Sequence, residues 1–439
     1  MISERKHSLT ALAAAIAVMF ACTGCGADKV GKAEESTSAE NSIVSGSETA
    51  TDALSAETQT QIPPETQNET AQPEAKPAGD DIKVHVSAVG DDLIHYSVFK
   101  EAERYAGGSG YDFTPIYANM RGIIESADVA VINQETIIAQ SFPVRGADGG
   151  QLLFNSPPEV ADAVIDLGFD VFTMANNHLL DCGAEGLEES IKFWNSLARQ
   201  HDITVLGAYL NDEDANNIRV REVNGMKIAF LAYAENLNGF EIPDDSPLRV
   251  IRNSQTDVIE RQIKEAREIA DAVIVSAHWG VEDTFEVSDD RKILAKNMVD
   301  WGADVVLGCH THTPQTMEWI EREDGSRGFV YYSMGNFICA QTDNFNVIGE
   351  VADFDLVLDG ATGNVRIEDP GAIPTIVHYD DGSFSNIRIY PYSMYTPELA
   401  NSHGLPYAIP QGTYTDFGWD VVNNVIDTAI PKEFQKLDK

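Results

Sequence analysis

From Ile82 onward, short apolar runs alternate with amphipathic stretches, and nothing else in the chain constrains its fold as strongly. Runs rich in Val, Ile and Ala predict buried strands, and apolar residues three and four apart predict helices laid over them. Strands are predicted over residues 82–89, 129–132, 170–174, 271–277 and 304–307, and helices over 159–167, 186–197, 258–270 and 293–301. Gly168 stands where the first of these helices should stop. Asn224-Gly225, between the runs 219–223 and 226–232, predicts a tight hairpin. After Phe329 the pattern turns strand-rich, with Asp359-Gly360 and Asp381-Gly382 as turns, and this part is expected to close the same domain. Such alternation defines an α/β chain.

The residues at the strand ends are more specific. Five of the runs end in residues able to bind metal or carry protons: Asp91, Glu135, Asn177-His178, His278, and His310 with His312. Ligands in open α/β sheets bind beyond the carboxyl ends of strands, so these groups are expected to converge on a mixed oxygen and nitrogen site for a divalent transition metal. Each has a plainer reading alone: turn chemistry for Asp91, a cap for Glu135, a backbone-bonded core imidazole for His278. His310-Thr311-His312 is the sharpest signal, because alternate positions of an extended segment put both imidazoles on one side.

The chain has 439 residues, 30 of them Lys or Arg and 70 Asp or Glu. A formal charge of −40 excludes nucleic-acid binding through a broadly basic surface. Residues 26–80 contain no aromatic residue and carry three lysines against eleven acidic residues, so they are expected to form a disordered acidic tether. Before them, Arg5, Lys6 and His7 precede an apolar run over 9–20 that is short for a membrane span and suited to a signal peptide. Small residues then lead to Cys25, the expected lipidation site, with residues 1–25 as lipoprotein signal and Cys22 as the alternative. The implied address is extracytoplasmic, lipid-anchored to a bacterial membrane. Only Cys182, Cys309 and Cys339 lie beyond the signal region, so no disulfide framework is expected.

A series of motifs then runs in order along residues 83–392. It comprises Gly90-Asp91; Ala127-Asp128 leading to Asn133-Gln134-Glu135; Ala175-Asn176-Asn177-His178 with Asp181 and Gly183; His278-Trp279-Gly280 with Glu282; Gly308 with His310 and His312; and Ser333-Met334-Gly335-Asn336-Phe337. In this the chain resembles the CapA family of poly-γ-glutamate capsule synthesis proteins, whose domain is similar to calcineurin-like metallophosphatases. The resemblance implies a four-layer α-β-β-α sandwich over 81–439 and one or two divalent ions of Mn, Fe or Zn. It implies Glu135 as bridging ligand, with Asp91 and His312 on one metal and Asn177, His278 and His310 on the other. His178 falls at the position of a general acid, with Asn177 and Glu282 as further catalytic positions and Asn133, Asn176, Asp181 and Asn336 as motif residues. The sequence departs from the phosphatase pattern at Asp91-Asp92-Leu93, where a histidine is replaced. Either one metal is then held, or a residue such as Asp92, His95 or Glu282 substitutes.

The motifs admit two functions. One is a surface-anchored hydrolase or transferase acting on the phosphoester or amide bonds of a capsule or cell-envelope polymer. The other is a non-catalytic accessory subunit that binds the polymer and a membrane synthase. A polyanion is repelled by so acidic a domain, so polymer binding is expected to need the metals or a local basic patch such as Arg121, Arg145 and Arg291.

Overall fold

The computed structural model describes residues 79–148 and 151–439. The signal segment 1–25 with Cys25, and all but the last two residues of the tether 26–80, lie outside the described residues. In chain order the strands among the described residues are β1 (Ile82–Asp92), β2 (Val129–Asn133), β3 (Arg145–Gly146), β4 (Phe154–Asn155), β5 (Val171–Thr173), β6 (Thr204–Leu206), β7 (Arg219–Val223), β8 (Met226–Ala234), β9 (Ala272–His278), β10 (Val305–Cys309), β11 (Met317–Glu321), β12 (Arg327–Tyr331), β13 (Asn336–Ile338), β14 (Ile348–Leu358), β15 (Val365–His378) and β16 (Arg388–Pro391).

They build two mixed sheets and a separate two-stranded antiparallel ribbon of β3 and β4. The first runs β6-β5-β2-β1-β14-β15-β16, with β13 beside the carboxyl end of β1. Its β6-β5-β2-β1 half is parallel, and β14 to β16 continue it antiparallel. The second runs β7-β8-β9-β10-β12-β11, parallel through its centre with antiparallel edges.

Strand periodicity decides how the layers stack. Ile228 and Phe230 of β8, Ile274 of β9 and Leu307 of β10 join the core shared with the first sheet, while their neighbours Ala229, Leu231, Val273, Val275 and Val306 form a second core. That second core is covered by Ile259 and Ile263 of the helix Thr256–Ile269 and by Leu294 and Met298 of Asp289–Trp301. Between the sheets, the Tyr331 ring lies 6.1 Å from Phe354, and its hydroxyl donates to the Gly371 carbonyl at 3.0 Å. On the outer face of the first sheet, Trp194 of the helix Gly183–Ala198 packs 4.8 Å from Phe172. Helix, sheet, sheet and helix follow in turn, the four-layer α-β-β-α sandwich. Strands covered on both faces read as unbroken apolar runs, which is why β2 and β9 are buried throughout.

Several elements carry clear reasons in their sequence. The helix Glu159–Leu167 ends at Gly168 in the left-handed region, φ 112°. Asn224 and Gly225 both take positive φ, 54° and 93°, which matches the twist of the flanking strands. The helices Gly183–Ala198 and Asp289–Trp301 begin three and four residues before the expected 186 and 293. Their first turns are polar and give no apolar periodicity, but Glu185, Asp289 and Asp290 suit the positive end of a helix dipole. The strand-rich tail lies in the first sheet, since β14 pairs with β1 from Ile82↔Leu358 to Val89↔Val351.

Close backbone approach fixes one glycine next to the chemistry. A Cβ at Gly90 would stand 1.9 Å from the Gly335 carbonyl oxygen, the atom that accepts from the Asp91 N–H at 3.0 Å. Gly90→Ala therefore forces β1 away from the 333–336 turn. It is expected to lower the urea unfolding free energy by about 2–3 kcal/mol. An unchanged urea midpoint would show that the turn yields freely.

Candidate metal centre

The parallel strands of both sheets end on the same side, and the site is built from the residues at and just beyond those ends. Asp91 is the last residue but one of β1, Glu135 stands two residues beyond β2, and Asn177 and His178 come after β5. His278 is the last residue of β9, and His310 and His312 come after β10. All seven are buried. Two groups of three ligand atoms form within 4.8 Å of one another: Asp91, Glu135 and His312, and Glu135, His278 and His310. Glu135 belongs to both. Asn177 adjoins the second group, its Oδ1 lying 2.9 Å from His278 Nε2.

Charge and hydrogen bonding in this cluster are incomplete without a cation. Neither oxygen of Glu135 nor Nδ1 of His310 finds a hydrogen-bond partner among the described residues, although all three atoms are buried. Burial, then the Asp91 carboxylate beside it, pushes Glu135 well above the usual carboxylate range. Burial and the neighbouring imidazoles hold His278 well below the usual histidine value, and burial with His312 brings His310 down to about 4. These two rings are therefore neutral, the form that binds metal. At His312 burial opposes the charged form but is outweighed by Glu135, Asp91 and Glu282, which push it up to about 10. Crowded carboxylates, neutral imidazoles and unpartnered buried donor atoms fit one or two divalent transition-metal ions.

A second layer orients these groups. Asn133 Nδ2 donates to Asp91 Oδ1 at 2.7 Å and lies 3.3 Å from His278 Nδ1. Asn336 Oδ1 lies 3.0 Å from His312 Nδ1. Asn176 Nδ2 donates to the Gln134 carbonyl and its Oδ1 accepts from the His178 N–H, tying the turn after β5 to that after β2. Asp181 Oδ2 lies 2.8 Å from His178 Nδ1, so that carboxylate selects the Nδ1–H tautomer and leaves Nε2 as the nitrogen without a proton.

Some expectations are corrected. His310 and His312 do not alternate along an extended segment: both have positive φ, 97° and 55°, in a tight turn. That uncommon backbone sends the rings to the two ligand groups on either side of Glu135, with centroids 6.2 Å apart. Asp92 does not replace the missing ligand. Its oxygens accept from Tyr117 at 2.7 Å and Gln134 at 2.9 Å, and burial raises it to about 7. His95 is engaged through Nδ1 by the Ala340 N–H and belongs to neither ligand group. Glu282 is exposed and lines the adjoining cavity. Arg121 is bound to Glu125 and Asp166 and Arg291 to Glu235, so these two are not free to form a basic patch.

Sequence reasoning misses the end of β8. Its parallel neighbour is β9, so Glu235 and Asn238 also arrive at this edge. Glu235 Oε2 accepts from the Gly280 N–H at 2.8 Å and so holds the turn after His278. Asn238 Oδ1 accepts from Asn177 Nδ2 at 3.1 Å. The strand-end rule that picked out the other ligands points to these residues too. Above the cluster lies a cavity of about 690 Å³, reached by Asn177, His178, Asn238, Glu282 and His312 and walled in part by Phe154.

Fold and site together define an α/β protein of two packed sheets with a carboxylate-centred, metal-type ligand set at its strand ends. The family profile described as "Bacterial capsule synthesis protein PGA_cap" matches residues 85–341, more than half of the chain, and the chain belongs to that family. It is 30% identical over 266 residues to "Capsule biosynthesis protein CapA" of Bacillus anthracis, covering 59% of this chain and 60% of that one. It is 29% identical over 271 residues to "PGA biosynthesis protein CapA" of Bacillus subtilis (strain 168), covering 61% and 66%. The matches thus span less than two thirds of either relative. Among solved structures, a 5'-nucleotidase precursor from Thermus thermophilus overlays with a TM-score of 0.41 and 12% identity, over 66% of this chain and 54% of that one.

Proposed function

We propose that this chain is an extracytoplasmic, lipid-anchored hydrolase or transferase of capsule or cell-envelope polymer synthesis, with poly-γ-glutamate as the favoured polymer. The observation that carries the reading is the pair of three-ligand groups sharing Glu135 beneath an open cavity that His178 also reaches. Asp91, Glu135 and His312 would hold one divalent ion, and Glu135, His278 and His310 the other, with Asn177 beside them. Such ions supply Lewis acidity and make water acidic enough to attack an amide or phosphoester at neutral pH. The protein's own part is to orient and to move a proton. His178, locked through Nδ1 by Asp181, gives or takes a proton at Nε2. Asn177 and Asn238 present amides to the bond being broken, and Glu282 stands at the rim. The test is to incubate the metal-loaded chain with γ-linked glutamate oligomers and with a phosphomonoester, and to follow new amine or phosphate. Metal-dependent release of amine supports the reading, and no release from either substrate rejects it.

A second reading, an accessory subunit that binds polymer and a membrane synthase without turnover, is favoured by Leu93. It stands where the phosphatase pattern has an imidazole, and among the described residues no other ligand group makes good the loss. The anchor has a separate test. Cys25→Ala is expected to move the protein from the membrane fraction to the soluble one. Retention on the membrane would place the anchor elsewhere.

A further inference from the structure

Three imidazoles line the cavity over the ligand cluster. His312 belongs to a ligand group, whereas His95 and His178 belong to neither. Both of these meet the Phe154 ring edge to face, His95 at 5.1 Å and His178 at 4.6 Å between centroids. Their protons are placed by opposite kinds of partner. At His178 the Asp181 carboxylate only accepts, so the proton is on Nδ1 and Nε2 carries a lone pair. At His95 the partner is the Ala340 N–H, which lies 3.2 Å from Nδ1 and only donates. Nδ1 must then offer its lone pair, and the proton is on Nε2. The Leu93 carbonyl also lies 3.2 Å from Nδ1, but it already accepts from the His95 N–H at 3.0 Å, while the Ala340 N–H has no other acceptor among the described residues.

Local structure does not account for an imidazole here. His95 holds the N-cap position of the helix Tyr96–Tyr105, yet its side chain makes no cap bond, and Ser, Asp or Asn would cap better by about 1 kcal/mol. Its Nε2 has no partner among the described residues, on a ring that is only half-buried and borders the cavity. The enclosed part of the ring is enough for burial to bring it down to about 3, so at neutral pH it carries no charge and does not act as an acid. What remains is a fixed, neutral N–H. Among the described residues no Lys or Arg lines this cavity, and Asn177 commits its Nδ2 to Asn238 Oδ1. Negative charge that develops on an oxygen there meets few donors, and a preorganised one is worth about 10²- to 10³-fold in rate.

We propose that His95 is a catalytic residue of this centre, its Nε2–H donating a hydrogen bond to the carbonyl or phosphoryl oxygen that becomes negative as the bond breaks, while His178 moves the proton. The proposal rests on the hydrolase or transferase reading and adds a second imidazole to it. Two variants of the full metal-loaded chain separate it from a structural role. His95→Asn sets its amide near the place of Nδ1 and still holds the Ala340 N–H, but it lacks the reach for a donor at Nε2. His95→Gln does the reverse. The substrate is whichever of the γ-linked glutamate oligomer and the phosphomonoester the native chain cleaves. His95→Asn is expected to lower kcat about 10²-fold or more, with KM within about threefold and metal content unchanged. His95→Gln should recover at least about tenfold of that loss. An Asn variant as active as the native chain, or a Gln variant no better than Asn, overturns the proposal and leaves the hydrolase reading standing. Nitrogen-15 spectra of the histidines in the Zn²⁺-loaded chain, with His95→Gln identifying the His95 signals, give a check that needs no turnover. They should show the Nε2–H form at His95, and an Nδ1–H ring there overturns the proposal by itself. No turnover by the native chain rejects the hydrolase reading and takes the proposal with it.

Discussion

Glu135→Ala is expected to empty the whole centre, because Glu135 is the one residue common to both ligand groups. Loss of residues that only orient a ligand costs about 10- to 100-fold in metal affinity, so loss of the shared ligand should cost about a hundredfold or more. Elemental analysis of protein purified without chelator should show native metal and almost none in the variant. The metal-free proteins should melt together, since the apolar runs of β1, β2, β9 and β10 pack independently of the Glu135 carboxylate. Adding Mn²⁺ or Zn²⁺ should raise the melting temperature of the native protein by about 5 °C or more and leave the variant unmoved. His310→Ala should remove one group and spare the other, retaining part of the metal. A Glu135→Ala protein that keeps its full metal would show that the cluster is not the binding site.

The second large effect separates proton transfer from metal binding. His178 belongs to neither ligand group, yet it reaches the cavity and is held by Asp181. His178→Ala should therefore keep its metal and lose about 10²- to 10⁴-fold in turnover, the usual worth of a placed acid or base. Asp181→Asn should also lower turnover with metal unchanged, because an amide holds the Nδ1–H tautomer less firmly than a carboxylate. Native turnover in His178→Ala would assign the proton to another group, with Glu282 at the rim the next to examine.

Both positions are visible in the sequence as residues that follow an apolar run. Glu135, His278, His310 and His312 each come after an apolar run, and a run that ends in a ligand type is visible in the linear chain. The apolar periodicity of 159–167 with Gly168, and the turn at Asn224-Gly225, likewise settle local structure with short-range physics: a left-handed helix stop and a hairpin twist. The order of strand and helix was enough for the α/β class, and the motif series was enough for the family.

How the candidate ligands group was a matter for the tertiary structure. His310 and His312 are two residues apart, and an extended backbone would have set them side by side. Positive φ at both sends them to the two ligand groups that share Glu135, beside Gly308 and Gly335, where a Cβ would stand 1.9 Å from the Tyr332 carbonyl oxygen and 2.9 Å from the Pro314 nitrogen. Asp92 sits next to Asp91, yet Tyr117 and Gln134 claim it, since strand side chains alternate and it faces away from the centre. Glu235 and Asn238 enter only because β8 lies beside β9, a pairing no local pattern encodes. The chain by itself determined which metal-binding residue types stand at the strand ends, because residue type and strand ends are local properties. The packing of the two sheets decided how those residues are divided and where the cavities lie, because both depend on contacts between segments up to two hundred residues or more apart, such as Asp91 with the His310 N–H.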